Sequence, residues 1–450
     1  MASGPTFGSS SDAIARSRPY RKLADLSSRK APPAACGLDF GTSNSALSLP
    51  DGNAVRLVPL EDDATTIPSA IFFATEDPFE VSYGRAAVRE YLDGTPGRLM
   101  RSLKSVLGSS LMNELAAVGD RDYKYADIVT AYVRTLRERA AVAAGHALDA
   151  VVLGRPIRFV DDDAKQDRAA QDTLAACARA AGFRHVEFQF EPIAAAFDYE
   201  RTIAREESVL VVDVGGGTAD FTVIRLGPGR RDRAVRTDDI LANDGIHIAG
   251  TDFDSRLNMS WVMPALGYRT VGTNGRVVPS LVYFDLSTWH RINLLYVPKF
   301  IGTLREMQAF FTDPRPYRRL VHVIDQRLGH ELLGRTENAK IDLSTQADVR
   351  LDLGAIEAGL MAEGTRNELI GLLGDMLARL VDIGTATVNA AGLRPADIST
   401  LYFTGGSSGM SALRDAFLKA YPDSRIVVGD LFGSVVSGLG IEAGRRFATG

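Results

Sequence analysis

The sequence predicts a mixed α/β protein built from two related halves. Three observations carry this. A strand that runs into an Asp and then a turn of Gly and small hydroxyl residues occurs twice: CGLDFGTSNSALSLPDG from Cys36 and VLVVDVGGGTADFTVIRL from Val209. Strand and helix patterns alternate between and after the two copies. The chain has 450 residues, 45% hydrophobic and 24% charged, ordinary for a soluble globular protein of roughly two to four domains.

Bulk properties exclude several function classes. A net charge of −5 argues against a nucleic-acid or acidic-membrane binder. No apolar run approaches the length of a bilayer span. The two cysteines, Cys36 and Cys177, lie far apart, which fits a reducing cytosol and offers no metal-ligand spacing. Six scattered histidines form no HExxH pair, so a zinc enzyme is not expected. Residues 1–35 are rich in Ser, Ala and Pro and carry Arg16, Arg18, Arg21, Lys22, Arg29 and Lys30. They lack the apolar segment of a secretory signal and read as a disordered basic tail, although a mitochondrial presequence shares some of this composition.

The ordered chain is expected to begin at Cys36. An apolar start leads into Asp39, Gly41, Thr42, Ser43 and Asn44; an alternating stretch, Ala46 to Leu49, returns, and Pro50–Asp51–Gly52 turns the chain. VVLGRP (151–156) reads as a buried strand. Residues 161–181 are Ala-rich, begin with acids and stop at Gly182, as a helix does. HVEFQF (185–190) alternates as a strand and runs into Glu191–Pro192, where Pro192 opens a helix of small residues. The second hairpin follows at 209–228. Residues 262–330, with Phe310 and Phe311, read as an inserted, partly helical lobe. Residues 331–344 and 363–392 have helical periodicity, the latter through Leu369, Leu372, Leu373, Met376 and Leu380. Residues 399–417 read as strand, double-glycine turn and helix, and the chain closes with a strand and a small-residue helix.

Three consecutive glycines weaken a regular element, because Gly loses the most backbone freedom on folding. Gly215, Gly216 and Gly217 therefore point to close approach of a ligand to bare backbone, and backbone N–H groups in a tight turn cradle phosphate. Asp213 and Asp220 would repel that phosphate unless a hydrated divalent cation lies between. Two such hairpins suggest a duplicated domain whose halves face one nucleotide.

Five segments in order resemble one family. DFGTSN (39–44) and DVGGGTAD (213–220) are similar to the two phosphate loops of the actin/sugar-kinase/heat-shock ATPase superfamily. EPIAAA (191–196) and GSVVSG (433–438) resemble its connecting helices, and LYFTGGS (401–407) its adenosine loop. AGTDFD (249–254) and ENAKIDLS (337–344) favour the 70-kDa heat-shock chaperone branch; VVLGRP and PGRLMRSLKSVLG resemble its short bacterial YegD-type members. The resemblance covers residues 36 to about 447. It implies an actin-like ATPase fold: two ribonuclease-H-like lobes around a nucleotide cleft, lobe I at 36–207 with a subdomain inserted at about 61–121, lobe II at 208–450 with one at about 250–375.

The resemblance also implies ATP or ADP with Mg2+ at the base of the cleft. Asp39 and Asp213 would hold the metal. Gly41, Thr42, Ser43 and Asn44 would cradle phosphates from one lobe, and Gly215, Gly216, Gly217 and Thr218 from the other, with Thr218 near the γ-phosphate. Glu191 and Asp220 would orient the attacking water. Gly405, Gly406 and Ser407 would approach the adenosine, and Glu337, Lys340 and Ser344 the ribose and base. The chemistry is phosphoryl transfer by positioning and charge neutralisation.

The sequence departs from the family in three ways. The family's catalytic lysine falls near Val88, and Lys104 is the nearby lysine able to replace its charge; a solvated helix lysine is the plainer reading of Lys104. Two arginines of the family's adenine site are Ile341 and Gly409 here, so nucleotide affinity is expected to be weaker than in a full chaperone, a cation–π stack being worth roughly 0.5–2 kcal/mol. No strand-rich peptide-binding domain is expected after the second connecting helix. The leading reading is a slow, Mg2+-dependent, cytoplasmic ATPase switch, monomer or weak dimer, with a protein partner that senses lobe opening and no nucleic acid or membrane. A non-hydrolysing nucleotide-dependent binding module, a small-molecule kinase and an actin-like filament stay open as alternatives.

Overall fold

The computed structural model describes residues 34–447, apart from 53, 77, 232, 234–235 and 273–274. The expected tail at 1–35 thus lies almost wholly outside the described residues. Two sheets form the frame. The first contains β1 (Ala35–Phe40), β2 (Asn44–Asp51), β3 (Ala54–Leu57), β4 (Ala150–Arg155) and β5 (His185–Phe190), ordered β5-β4-β1-β2-β3. The second contains β6 (Glu207–Val214), β7 (Ala219–Leu226), β8 (Ile240–Ile246), β9 (Thr400–Thr404) and β10 (Arg425–Val428), ordered β8-β7-β6-β9-β10.

The two sheets have the same plan. In each, the first strand pairs antiparallel with the next in sequence and parallel with a later one. A second parallel strand and a third antiparallel strand complete the edges. The duplication suggested by the hairpins is therefore a duplication of whole sheets, and the expected class of two related α/β lobes is what the chain adopts.

The central strands read as unbroken apolar runs because they are covered on both faces. Val209, Leu210, Val211 and Val212 are all fully buried. Two helices join the sheets, α1 (Glu191–Glu200) and α2 (Ser434–Phe447). Helix α1 follows a strand of the first sheet yet packs on β6 and β7 of the second; α2 follows a strand of the second yet packs on β1, β2 and β4 of the first. The helices meet at Gly438, where an added Cβ would lie 1.8 Å from the Ala194 carbonyl oxygen. Small residues here are a steric requirement, as their composition suggested.

Segments outside the sheets roof the gap between the halves. The Tyr91 hydroxyl donates to the Arg327 carbonyl oxygen, and Arg327 Nη1 donates to Gly97 O at 2.8 Å. Asn293 Nδ2 donates to Leu99 O at 2.8 Å. Arg101 lies 3.6 Å from Glu337 and 4.0 Å over the Trp289 ring. The irregular stretch 262–330 resolves into short helices, including Leu281–Leu286, Pro298–Met307 and Pro314–Asp325. Of the basic stretch at 229–236, Arg230 and Arg231 end the short helix Pro228–Arg231, and Arg236 pairs with Glu200 at 2.8 Å and Asp239 at 2.6 Å. No helix among the described residues is long and apolar enough to cross a membrane.

Candidate functional site

The ends of β1 and β6 face each other, and each carries its Asp there. Asp213 stands opposite Asp220 in the β6–β7 hairpin, and Asp39 stands opposite Ala46 in the β1–β2 hairpin. The turn after β6 is closed by Gly215 N donating to Thr218 O at 3.0 Å. Its carbonyls are tied back to the protein. Gly250 N and Ser407 Oγ donate to Gly215 O at 3.1 and 2.8 Å, and Thr251 N and Oγ1 donate to Gly216 O at 2.7 and 2.8 Å. In a trans peptide the N–H points opposite to the C=O. The N–H groups of Gly216 and Gly217 are thereby turned away from these partners.

The three glycines have different reasons. A Cβ on Gly216 would lie 2.4 Å from Ser43 Oγ, and one on Gly217 2.7 Å from Thr42 Oγ1. These two glycines let the phosphate-type loops of the two halves abut. A Cβ on Gly215 would meet nothing nearer than Thr218 O at 3.7 Å, so neighbouring protein does not demand that glycine. Gly405, with φ +80°, is required for Asp213: a Cβ there would lie 2.5 Å from Asp213 Oδ1.

A cavity of about 510 Å³ opens where the halves meet, within the range of small-molecule sites. Asp39, Gly41, Thr42, Ser43 and Asn44 line it from the first half; Asp213, Gly215, Gly216, Gly217 and Thr218 line it from the second. Lys104, Glu191, Glu337, Lys340, Ser344, Gly405, Gly406 and Ser407 also line it. Of the residues singled out in the sequence, Asp220 alone is absent from this lining. It is 1% exposed, and its carboxylate accepts from Ile157 N at 2.7 Å, behind the wall.

Lys104 is not a solvated helix lysine. It sits in a short 3-10 turn, is 6% exposed and donates to Glu191 Oε1. Val88 lies elsewhere, on the helix Arg85–Leu92, packed against the small cluster around Phe72 and Leu99. Lys340 is also internal, paired with Asp254 at 2.6 Å and donating to Gly250 O at 3.2 Å. Asp254 lines the cavity too; it lies within AGTDFD, whose likeness to the family was visible while its role was not. Phe432, Leu431 and Met410 were missed altogether, since an apolar residue in a loop carries no pattern that marks it as a lining group.

Electrostatics set the character of the acid end. Burial, reinforced by Glu191 and opposed by Lys104, pushes the Asp39 carboxyl up to about 7. Burial and Glu191 push Asp220 up to about 8. Asp213 stands well above the usual carboxylate range through burial, Glu191, Asp220 and Asp39. Burial depresses the Lys104 ammonium, yet Glu191 and Asp39 outweigh it and the net shift is upward. Lys104 therefore stays charged, while burial and mutual repulsion bias Asp39, Asp213 and Asp220 towards their neutral forms.

A divalent cation would favour their ionised forms instead. Among the described residues no group of three or more His, Cys, Asp or Glu side chains is placed to hold a metal alone. Magnesium does not need one: it keeps several waters and binds through one or two carboxylates plus substrate phosphates. Asp39 and Asp213 fit that role.

A family model described as Hsp70 protein matches residues 35–265, more than half of the chain. The matched span contains both hairpins, Lys104, Glu191 and Asp254. Joined to two sheets of one topology around a shared cavity, this makes the chain a member of the Hsp70 family, with the family's actin-like ATPase fold.

Proposed function

We propose that the protein binds ATP or ADP with Mg2+ in the cavity between its halves and hydrolyses ATP slowly, as a short YegD-like member of the family. The observation that carries this is the meeting, in one cavity, of two loop–Asp pairs from separate sheets with the Lys104–Glu191 pair. Bound Mg2+ supplies positive charge against the phosphates. Thr42, Ser43 and Asn44 hold phosphate oxygens from one side, and the Gly216 and Gly217 N–H groups from the other. Glu191, the first residue of α1, gains from the positive end of the helix and orients the attacking water. Lys104 offsets charge on the transferring group. Asp220 acts from behind Asp213 through its field. The cross-cleft contacts of Tyr91, Asn293 and Arg101 tie nucleotide occupancy to lobe closure, which a protein partner reads.

A non-hydrolysing switch is favoured by one observation: the Lys104 ammonium is already engaged by Glu191. Phosphate release by wild type and by Asp213→Asn, measured together, decides between the readings. The substitution keeps the shape, removes the metal-facing charge and relieves repulsion from Glu191, Asp220 and Asp39. Turnover is expected to vanish while the thermal midpoint holds or rises. Wild-type protein that releases no more than one phosphate per chain would favour the switch; turnover that survives in Asp213→Asn would contradict the assignment.

A further inference from the structure

The cavity is not uniform. Its loop 405–409 leads away from the acids: Gly405 is against Asp213, Gly406 lies under Phe432, and Gly409 faces Leu431. A Cβ on Gly406 would sit 3.0 Å from Phe432 Cε1, and one on Gly409 3.1 Å from Leu431 Cδ1. Beyond the acids the lining includes the apolar Met410, Leu431, Phe432, Val435 and Ile341, beside the polar residues of 337–345.

Two of these side chains are open. Phe432 is 46% exposed and Ile341 57%, whereas Phe221, Phe253, Phe403 and Phe417 of the same half are wholly buried. A large aromatic ring left half bare on a cavity wall is an apolar face without its partner. Phe432 N donates to Asp430 Oδ1 at 3.2 Å, helix α2 starts two residues later, and the missing Cβ of Gly406 leaves room for the ring's Cε1–Cζ edge against that segment.

We propose that Phe432 is the residue on which the nucleobase stacks, and that it supplies the platform that Ile341 and Gly409 do not. The inference rests on the nucleotide reading above and deepens it. Ring stacking needs only the π-face of the base. It therefore contributes affinity without choosing between bases, and it contributes nothing to a ligand made of phosphates alone.

The test is equilibrium titration of wild type, Phe432→Ala and Phe432→Trp with MgATP, MgGTP and Mg-tripolyphosphate. Phe432→Ala is expected to weaken ATP and GTP by the same factor, about tenfold or more, and to leave tripolyphosphate unchanged. Phe432→Trp is expected to keep the ATP affinity, with an indole emission that ATP alters and tripolyphosphate does not. Equal ATP affinity in wild type and Phe432→Ala overturns the inference. So does a parallel loss of ATP and tripolyphosphate, which would make the ring a wall and not a platform. Wild-type protein that binds tripolyphosphate but no nucleoside triphosphate overturns it as well. Wild-type protein that binds none of the three fails the nucleotide reading itself, a different and separable outcome.

Discussion

Lys104→Met is expected to reduce ATP turnover by about 10²- to 10³-fold, the usual scale for removing one preorganised charge-stabilising group. The argument begins with burial. Lys104 is 6% exposed and its ammonium is held by Glu191, with Asp39 close enough to favour its charged form. Methionine fills a similar volume but carries no charge. Glu191 then stays in a dry space with the neighbouring acids and no ammonium beside it. Breaking a buried pair from one side costs about 3–5 kcal/mol, so the single variant should also unfold earlier. The two effects separate in the double variant Lys104→Met with Glu191→Gln. Neutralising both partners should return much of the stability and none of the turnover. Thermal unfolding and single-turnover phosphate release on the three proteins check this. A Lys104→Met protein with wild-type turnover would remove the lysine from the chemistry.

Gly438→Ala is expected to be the most damaging single methyl group in the chain. It lies in α2, and the added Cβ would be 1.8 Å from Ala194 O and 2.3 Å from Ala194 C, both backbone atoms of α1. Neither helix can yield without moving a sheet, since each packs on the sheet of the opposite half. Overpacking ordinarily costs about 1–3 kcal/mol, and backbone against backbone belongs at or above the top of that range. Because the helices set how the halves meet, MgATP affinity should fall although no cavity residue has changed. Gly371→Ala is the control. It sits in the helix Arg366–Ala390 with nothing within 4 Å of an added Cβ, and should stabilise by roughly 0.5–1 kcal/mol. Denaturant unfolding of the two variants gives the comparison; a Gly438→Ala protein as stable as wild type would show that the helices cross more loosely than described.

Much of this architecture was legible in the sequence because it is local. An apolar run, an Asp and a turn of small residues can be read within a dozen positions, and reading it twice gave the duplication. Pro192 and the Ala run marked α1, and the heptad-like leucines marked the helix Arg366–Ala390. What escaped was long-range. Nothing near Lys104 indicates that Glu191, 87 residues later, will hold it. Nothing near Gly216 and Gly217 indicates that Ser43 and Thr42 will press on them, so their glycines were credited to a ligand alone. Asp220 looked equivalent to Asp213 across the turn. The register puts the two on one face of the sheet, yet the Asp220 carboxylate is taken up by Ile157 N and does not reach the cavity surface. Phe432 carried no mark in the sequence, and only the cavity gave it a place.

The most direct test of the central claim is calorimetric titration of the purified protein with ATP, once with magnesium and once with the metal chelated. Binding of one ATP per chain, weakened by chelation, is the predicted result, because Asp39 and Asp213 would then face the phosphates without their shared cation. An absence of binding in both conditions, or binding indifferent to magnesium, would contradict the assignment of this cavity as a Mg–nucleotide site.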